Sequence, residues 1–232
     1  MIRVLRFGKI IFGMALLCGV LGVTGTFAQG PLGQILNRMD TNNKLLSSLS
    51  ADVTMVKTNV QLNVSDTTTG RTSYLPKNAK HGRYVRIDWT KPVEEQIVVI
   101  GEEYELYRPR LNQVITGTAG KAKNSAAAGG ALSFMSMSKD QLKTNYDVIY
   151  LGEEQLSGGT NVWHLQLTPK TATSYKSADL WVDGDGMPRQ AKVTELNSDT
   201  TTVLLSNIQK NVTIKSDIFK LKYPGNVKKI RA

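Results

Sequence analysis

The first predicted element of the chain is a helix that begins near residue 30. Its apolar residues recur at helical spacing in Leu32, Ile35, Leu36 and Met39. Pro31 can occupy the first turn of such a helix. After a polar break at residues 40–43, the apolar stripe continues in Leu45, Leu46 and Leu49. This pattern predicts a helix that needs a broad apolar surface to lie against.

From Ser50 the pattern changes to the alternation that is typical of β-strands. One face of the first predicted strand carries Val56, Thr58, Val60, Leu62 and Val64. Residues 67–70 are predicted to form a turn. Residues 84–89 then alternate between polar and apolar side chains, and the apolar ones are Val85, Ile87 and Trp89. This second strand is therefore predicted to have one exposed and one buried face.

The strands that follow are short and closely spaced. Residues 97–100 and 104–107 flank Gly101, Glu102 and Glu103, which predicts a tight hairpin. Later strands are predicted at residues 146–151, 162–167, 180–183, 190–196 and 201–206, with a last one around 219–223. The total of about eleven strands, mostly joined by short turns, predicts a mainly β fold with one large, strongly curved antiparallel sheet.

One segment interrupts this sheet pattern. Residues 117–130 are low in complexity and rich in glycine and alanine, which predicts a mobile loop. The loop leads into an apolar stretch that contains Leu132, Phe134, Met135 and Met137. Ser138 and Gln141 fit a capping box, so a short helix is predicted to start there. The apolar stretch is either a lid over a cavity or a helical plug that completes the core.

The N-terminal 28 residues have the organisation of a secretory signal peptide. Three basic residues precede an apolar run from residue 10 to about 23, and Thr26 and Ala28 provide small residues before a cut at Gln29. Cleavage leaves a single domain at residues 29–232. The alternative is an uncleaved membrane anchor, for which the apolar run is short and broken by glycines.

Composition excludes several kinds of chemistry. The chain has one cysteine and two histidines among 232 residues, so neither a disulfide framework nor a metal centre built from cysteine or several histidines is predicted. The carboxylate pairs at 94–95, 102–103 and 153–154 are adjacent residues, which either point to opposite faces of a strand or lie in solvated turns. Asp183–Gly186 is typical of a turn rather than of a calcium loop. His164 lies on a predicted strand without a nucleophile motif. The sequence therefore predicts neither an enzyme nor a cofactor.

The net charge of +10 leaves two explanations open. It favours anionic lipid surfaces, or it only aids solubility. The methionine-rich apolar segment suits a surface that repacks around varied apolar ligands. Large curved antiparallel sheets often enclose a ligand cavity. From the residues alone, the favoured function is binding of a hydrophobic ligand, and the alternative is that these side chains fill the core.

Several stretches of the chain resemble the periplasmic outer-membrane lipoprotein carrier family, the LolA-like proteins. They are residues 45–54, 84–89, 91–92, 97–101, 104–109, 113–114, 165–170, 180–183, 206–208 and 218–225. The resemblance depends on the order of these stretches over nearly the whole mature chain rather than on any single motif.

The resemblance implies an unclosed antiparallel β-barrel, with an N-terminal helix and short lid helices covering its cavity. It also implies that the cavity takes acyl chains of lipoproteins from an inner-membrane releasing transporter and delivers them to an outer-membrane acceptor. Such a carrier is a periplasmic monomer with no cofactor and no nucleic-acid partner. Alternatives on the same fold are a carrier of another amphiphile, such as a glycolipid, and a periplasmic sensor of lipoproteins.

Alternation and resemblance together predict the residues of this site. The cavity is predicted to be lined by Trp89, Val99, Leu106 and Trp181, with Arg108 on the exposed face. The lid residues are Leu132, Phe134, Met135 and Met137. By resemblance, an arginine before the aromatic strand latches the lid. Arg83 fits that position, and a shift of register gives Arg86 instead. The family's proline is missing from residues 80–83.

Overall fold

The computed structural model describes residues 30–77, 82–118 and 133–232. The predicted signal peptide, the predicted lid residue Leu132 and most of the glycine- and alanine-rich loop lie outside the described residues.

Two α-helices and twelve β-strands lie wholly within the described residues, and residues 133 and 134 are also helical. The helices are α1 (Pro31–Leu45) and α2 (Lys139–Asn145). The strands are β1 (Leu49–Asn59), β2 (Val64–Leu75), β3 (Tyr84–Lys91), β4 (Glu95–Ile100), β5 (Glu103–Arg108), β6 (Gln113–Thr118), β7 (Tyr146–Gln155), β8 (Asn161–Pro169), β9 (Tyr175–Asp183), β10 (Pro188–Glu195), β11 (Thr200–Lys210) and β12 (Lys228–Arg231). Short 3₁₀ helices occur at Pro109–Leu111 and Ser216–Phe219.

All twelve strands form one sheet in the order β12-β6-β5-β4-β3-β2-β1-β11-β10-β9-β8-β7. Neighbouring strands are antiparallel except β12, which pairs in parallel with β6. The sheet does not close on itself, because β12 and β7 are its two edges. The predicted fold class, a mainly β protein with an unclosed antiparallel sheet, is confirmed.

We call the sheet face that carries α1 the inner face and the opposite one the outer face. Helix α1 buries its apolar stripe, and the stripe runs straight through the polar break because Asn42 is buried with Met39. The predicted continuation of the stripe is wrong. Leu45 is 70% exposed at the helix end, and Leu49 already belongs to β1.

The β9–β10 turn packs directly against the backbone of α1. Gly186 has a φ of +83°, and a Cβ on this residue would lie 2.3 Å from the carbonyl carbon of Arg38 in α1. The Arg38 guanidinium in turn donates a hydrogen bond of 2.7 Å to the carbonyl of Gly184. Asp183 Oδ1 accepts hydrogen bonds from the backbone N–H groups of Asp185 and Met187. The interpretation of residues 183–186 as a turn is correct.

The structure corrects the first predicted strand and the turn after it. The buried side chains of β1 are Leu49, Ala51, Val53 and Met55, so the face carrying Val56 is the outer one. Val60 and Leu62 lie in the β1–β2 turn, where Leu62 is 72% exposed. The turn predicted at residues 67–70 lies inside β2. Valine and threonine alternate with other β-formers on both faces of β1, so alternation alone did not identify the covered face.

The last predicted strand is also wrong. Residues 216–219 form a 3₁₀ helix, residues 220–227 contain no strand, and β12 follows only at residue 228. We call residues 216–223 the C-terminal strap, because they lie across the outer face of β3–β6. Phe219 packs its ring against Tyr84, and Tyr223 packs against Tyr107. Through these aromatic contacts the strap packs on the outer face of the sheet instead of pairing with one of its edges.

Candidate functional site

The inner face of the sheet is divided into two halves. In the first, made of β1 and β7–β11, side chains pack beneath α1 and are almost fully buried. They include Leu165, Leu167, Ala178, Leu180, Ala191 and Val203, each with no exposed surface. Within the described residues, β2–β6 contribute only Ile87 and Trp89 to this main buried cluster. We call these two regions the packed half and the open half.

The open half carries two rows of apolar side chains that cross its strands. One row places Ile87, Ile97, Leu106 and Ile115 side by side on β3–β6. The next row contains Tyr74, Val85, Val99 and Tyr104. We call six of these residues the apolar trough: Tyr74, Val85, Ile97, Val99, Leu106 and Ile115. All of them except Leu106 are only half-buried, so the trough retains apolar surface that a ligand can cover.

Tyr104 closes the row beside Val99. It lies directly opposite Gly117 on β6, and a Cβ at that glycine would be 2.9 Å from Cε1 of the tyrosine ring. A larger residue at this position would therefore displace the Tyr104 ring. This contact fixes the floor of the trough next to the point where the described part of β6 ends.

Charged groups mark the two ends of the trough. Arg108 Nε lies 2.9 Å from Glu95 Oε1 at one end. Both residues are on the inner face, since Arg108 is two positions from Leu106 on β5, so the prediction of Arg108 on the opposite face is wrong. At the other end Arg83 lies near Tyr74. Burial raises the pKa of the Tyr74 phenol, and the positive charge of Arg83 partly opposes that rise.

Three of the four predicted cavity residues lie on the inner face. Val99 and Leu106 belong to the trough, and Trp89 is buried at its border with the main cluster. Trp181 does not lie there, and its prediction as a cavity residue is wrong. Its neighbours Leu180 and Val182 enter the core, so its own side chain points to the outer face.

Trp181 belongs instead to a polar cluster on the outer face of the packed half. Its ring stacks on His164 at a centroid distance of 4.3 Å, and its indole N–H donates to Glu154 at 2.6 Å. His164 also lies 3.0 Å from the buried carboxylate of Asp179. The hydrogen bond from Trp181, followed by the hydrogen bond with His164, holds the pKa of Glu154 below its usual value. A strand tryptophan thus became buried without facing the interior, because polar side chains cover it.

The described lid residues are docked against the packed half. Phe134 and Met135 are buried in the main cluster. The Phe134 ring makes edge-on contacts with Tyr146 and Tyr175 at 5.6 and 5.8 Å, and Asn43 of α1 donates a hydrogen bond to the carbonyl of Met137. These contacts fit both a closed lid and a plug that completes the core.

The predicted capping box after the lid is confirmed. The Ser138 hydroxyl accepts from the backbone N–H of Gln141, and the Gln141 side chain accepts from the backbone N–H of Ser138. The box starts α2, whose Leu142 is fully buried. Local sequence therefore fixes the point at which the lid segment ends.

The two candidate latch arginines lie on opposite sides of the sheet. Arg86 points to the outer face, where it pairs with Asp88 at 2.7 Å and donates to the carbonyl of Ile218 in the strap. Arg83 precedes β3 on the inner side, and its carbonyl accepts from the backbone N–H of Gly101. Within the described residues, no hydrogen bond joins Arg83 to residues 133–137. A latch formed by Arg83 stays a prediction, and Arg86 has another role.

Sequence reasoning missed four of the six trough residues. It did not predict Tyr74, Val85, Ile97 or Ile115 as cavity residues, although Val85 lies on the same alternating face as Trp89. The missing information was the register, because only cross-strand pairing reveals that these residues form rows.

The described residues contain neither a helix long and apolar enough to span a membrane nor a metal-binding group of side chains. Neither α1 nor α2 meets the requirement for a span. No set of three or more histidine, cysteine, aspartate or glutamate side chains is arranged to hold a metal ion in the part of the chain that the structure describes.

Comparison with known proteins identifies relatives of this chain. The family model described as outer membrane lipoprotein carrier protein LolA matches residues 44–222. An outer-membrane lipoprotein carrier protein from Xanthomonas oryzae pv. oryzae (strain MAFF 311018) is 23% identical over 199 residues, which cover 85% of this chain and 88% of that protein.

Two solved structures share the fold. An uncharacterized conserved protein from Thermus thermophilus has a TM-score of 0.56 at 16% identity, with coverage of 87% of this chain and 99% of that one. A chain of the Pseudomonas aeruginosa MucA/MucB complex has a TM-score of 0.51 at 15% identity, with coverage of 82% of this chain and 60% of that one. At these identities the likeness shows the fold alone.

Proposed function

The chain belongs to the family of the outer membrane lipoprotein carrier protein LolA, and we propose on that basis that it binds the acyl chains of lipoproteins in the apolar trough and carries them to the outer membrane. The observation that carries the proposal is the half-buried state of the trough beside a fully packed core. Stability alone favours burial of apolar side chains, as in the packed half, and therefore does not explain why the trough is left partly uncovered. Carriage is binding and release without covalent chemistry, so the proposal includes no enzymatic activity.

The chemistry of the trough suits hydrocarbon. Its middle is lined by aliphatic side chains from four neighbouring strands, and its charged groups are confined to the ends. Each CH₂ group that leaves water for such a surface contributes about 0.8 kcal/mol. Several acyl chains therefore supply enough free energy to hold a lipoprotein in solution, and a trough that is only partly enclosed still allows release.

Adjacent residues on β4 provide a matched test of this site. Val99 belongs to the trough, whereas Ile100 is 45% exposed on the outer face. We expect Val99→Gln, combined with Ile97→Gln, to weaken binding of a fluorescent diacylated peptide about tenfold or more, because polar groups replace apolar contacts. Ile100→Gln should bind the peptide like the parent protein.

Thermal melts identify the variants that are informative. The trough is not the binding site if the variant with both trough substitutions keeps a cooperative melt and still binds the diacylated peptide normally. Equal loss in the Ile100→Gln control would show that the assay reports general destabilisation rather than acyl binding.

We extend the proposal to the lid and its latch. In this extension Phe134, Met135 and Met137, together with Leu132, shield the empty site, and Arg83 donates hydrogen bonds to lid carbonyls. The guanidinium suits this role because it has five donors in a rigid fork. The position of Arg83 on the inner side, next to Tyr74, supports it over Arg86.

The proposed latch is tested by measuring the transfer of cargo from the protein to acceptor membranes. Arg83→Leu should load cargo normally but transfer less of it to acceptor membranes, because an unlatched lid lets cargo remain more stably inside. Transfer of a labelled lipoprotein from the loaded variant measures this step. Normal transfer by Arg83→Leu would show that the protein has no latch at this position.

The route of the carrier is part of the same proposal. Cleavage after Ala28 would release residues 29–232 into the periplasm as a monomer, which would receive cargo from an inner-membrane transporter and deliver it to an outer-membrane acceptor. Intact mass of the periplasmic protein tests the cleavage.

The aliphatic lining also accommodates another amphiphile, such as a glycolipid, because it recognises hydrocarbon rather than a head group. Mass spectrometry of cargo co-purified from the periplasm separates the two: acylated proteins support the lipoprotein, and free lipid alone supports the alternative.

A further inference from the structure

The positive charge of the chain is concentrated at its C-terminus. Residues 215–232 contain six basic residues and one acidic residue. Residues 29–214 contain 20 basic and 18 acidic residues and are therefore close to neutral. The C-terminal 18 residues thus account for most of the net positive charge that remains after the predicted signal peptide is removed.

The fold turns this charge outward on one surface. In the strap, buried Phe219 and half-buried Leu221 and Tyr223 alternate with exposed Lys220 and Lys222. The apolar members fasten the strap to β3–β6 through the ring contacts described above. The two lysines are consequently held facing solvent by the same alternation that anchors the strap.

Strand β12 adds basic side chains beside the strap. Lys229 lies opposite Val114 and Arg231 opposite Thr116 on β6, which places both on the outer face. The Lys229 ammonium lies 5.7 Å from the centre of the Tyr223 ring. We call Lys220, Lys222, Lys229 and Arg231 the basic strip.

The basic strip has no carboxylate partner within the described residues. Glu103 and Glu105 lie on the same face of β5, yet neither forms an ion pair within 4.0 Å with a member of the strip. Elsewhere on the chain basic side chains do pair, as Arg86 does with Asp88 and Lys192 with Asp179. The charge of the strip is thus available to an external anion.

We propose that the basic strip docks the protein on the surface of an anionic phospholipid membrane. Three of its four members are lysines, which act as flexible point charges and need no fixed geometry from the anion, whereas the rigid fork of arginine suits bidentate recognition of a carboxylate or phosphate in a shaped site. The strip lies along an extended segment and a strand and converges on no pocket, as suits a broad charged surface. Each basic residue near an anionic membrane surface contributes about 1 kcal/mol to binding, so the binding free energy grows with the number of such residues.

This docking goes beyond acyl-chain binding and is measured without cargo. The empty mature protein is mixed with vesicles of phosphatidylcholine, with or without about 30% phosphatidylglycerol, at low ionic strength, and the bound fraction is determined by sedimentation. We expect binding only to the anionic vesicles. It should weaken strongly as salt rises to about 0.3 M, because the charges are exposed and screened.

Two charge-reversal variants with equal net charge locate the surface. The test variant carries Lys220→Glu, Lys222→Glu and Lys229→Glu. The control carries Lys57→Glu, Lys143→Glu and Lys176→Glu, at exposed lysines outside the strap and β12. At about fivefold per basic residue near the membrane, the test variant should lose roughly a hundredfold in partitioning and the control far less. Lys220→Gln with Lys222→Gln, a milder change, should lose about tenfold or more.

The outcomes separate docking from its alternatives. Equal losses in test and control variants that both melt cooperatively would assign binding to net charge and overturn the proposal. The proposal is also overturned if the parent protein does not bind anionic vesicles. If that protein instead binds a polyglutamate peptide through the basic strip, the surface serves an acidic protein partner. Because no acyl cargo is present, failure here leaves acyl binding in the trough untouched, and failure of the trough variants leaves docking untouched.

Discussion

The packed half and the open half of the inner face use the same kind of strand for different purposes. In the packed half, Leu165, Leu180 and Val203 are fully buried beneath α1 and the lid residues. In the open half, Val85, Ile97 and Val99 are equally apolar but only half-buried. The comparison indicates that one half stabilises the fold and thereby allows the other to leave apolar surface uncovered.

The size of α1 explains why the halves differ. A helix of 15 residues is about 22 Å long. Twelve strands spaced about 4.8 Å apart give a sheet roughly 55 Å wide, measured between its edge strands. One helix therefore covers less than half of such a sheet, and its position over the β9–β10 turn decides which half that is.

The largest expected effect compares a leucine of the packed half with a valine of the trough. Leu180→Ala should lower the free energy of unfolding by about 2–5 kcal/mol, because it leaves a cavity under α1. Val99→Ala should cost about 1 kcal/mol or less, since its side chain is half-buried. Urea denaturation of both variants measures the difference. Similar losses would mean that the open half is as tightly packed as the other.

The next effect tests the support of α1. Gly186→Ala should lower the free energy of unfolding by about 1–3 kcal/mol, because a Cβ there would strike the backbone of Arg38 and the residue has a positive φ. The matched control is Gly184→Ala in the same turn, where no atom lies within 4 Å of the added Cβ. Thermal melts of the two variants suffice, and equal Tm values would show that this turn does not hold the helix.

The smallest effect concerns the outer face of the packed half. The pKa of Glu154 is held below its ordinary value of 4.5 by Trp181 and His164. The unfolded chain therefore binds this proton at a higher pH than the folded one, so the stability from Glu154 is present above pH 4.5 and is lost as the pH falls through the folded value. Tm measured against pH should fall more steeply for the parent protein than for Glu154→Gln. Parallel curves of Tm against pH for the two proteins would show that the ionised Glu154 side chain does not contribute to stability.

Much of the fold could be predicted from local sequence. The helical spacing around Ile35, the capping box at Ser138 and the alternation along β3 each depend on residues close in the chain, and all three are present. The resemblance to the carrier family likewise depended on ordered motifs and is confirmed by the match over residues 44–222.

The candidate site was predicted only in part, and Trp181 is the clearest failure. A large aromatic residue on an alternating strand was expected inside, but the structure surrounds it with His164, Glu154 and Lys192 on the outer face. The two latch candidates teach the same lesson. Arg83 and Arg86 differ by an odd number of residues and so lie on opposite faces, which alternation from Trp89 already indicated.

The sequence by itself determined the helix, most of the strands, the capping box and the family, because these follow from the spacing of neighbouring side chains. Only the tertiary structure decided which sheet face is covered, which half stays open and where the C-terminal lysines lie. Alternation of polar and apolar residues indicates that the two faces of a strand differ. Which face is buried depends on the distant segment that packs against it. In this protein α1 covers the packed half from inside and the strap covers the open half from outside, so the trough is the apolar surface that neither of them reaches.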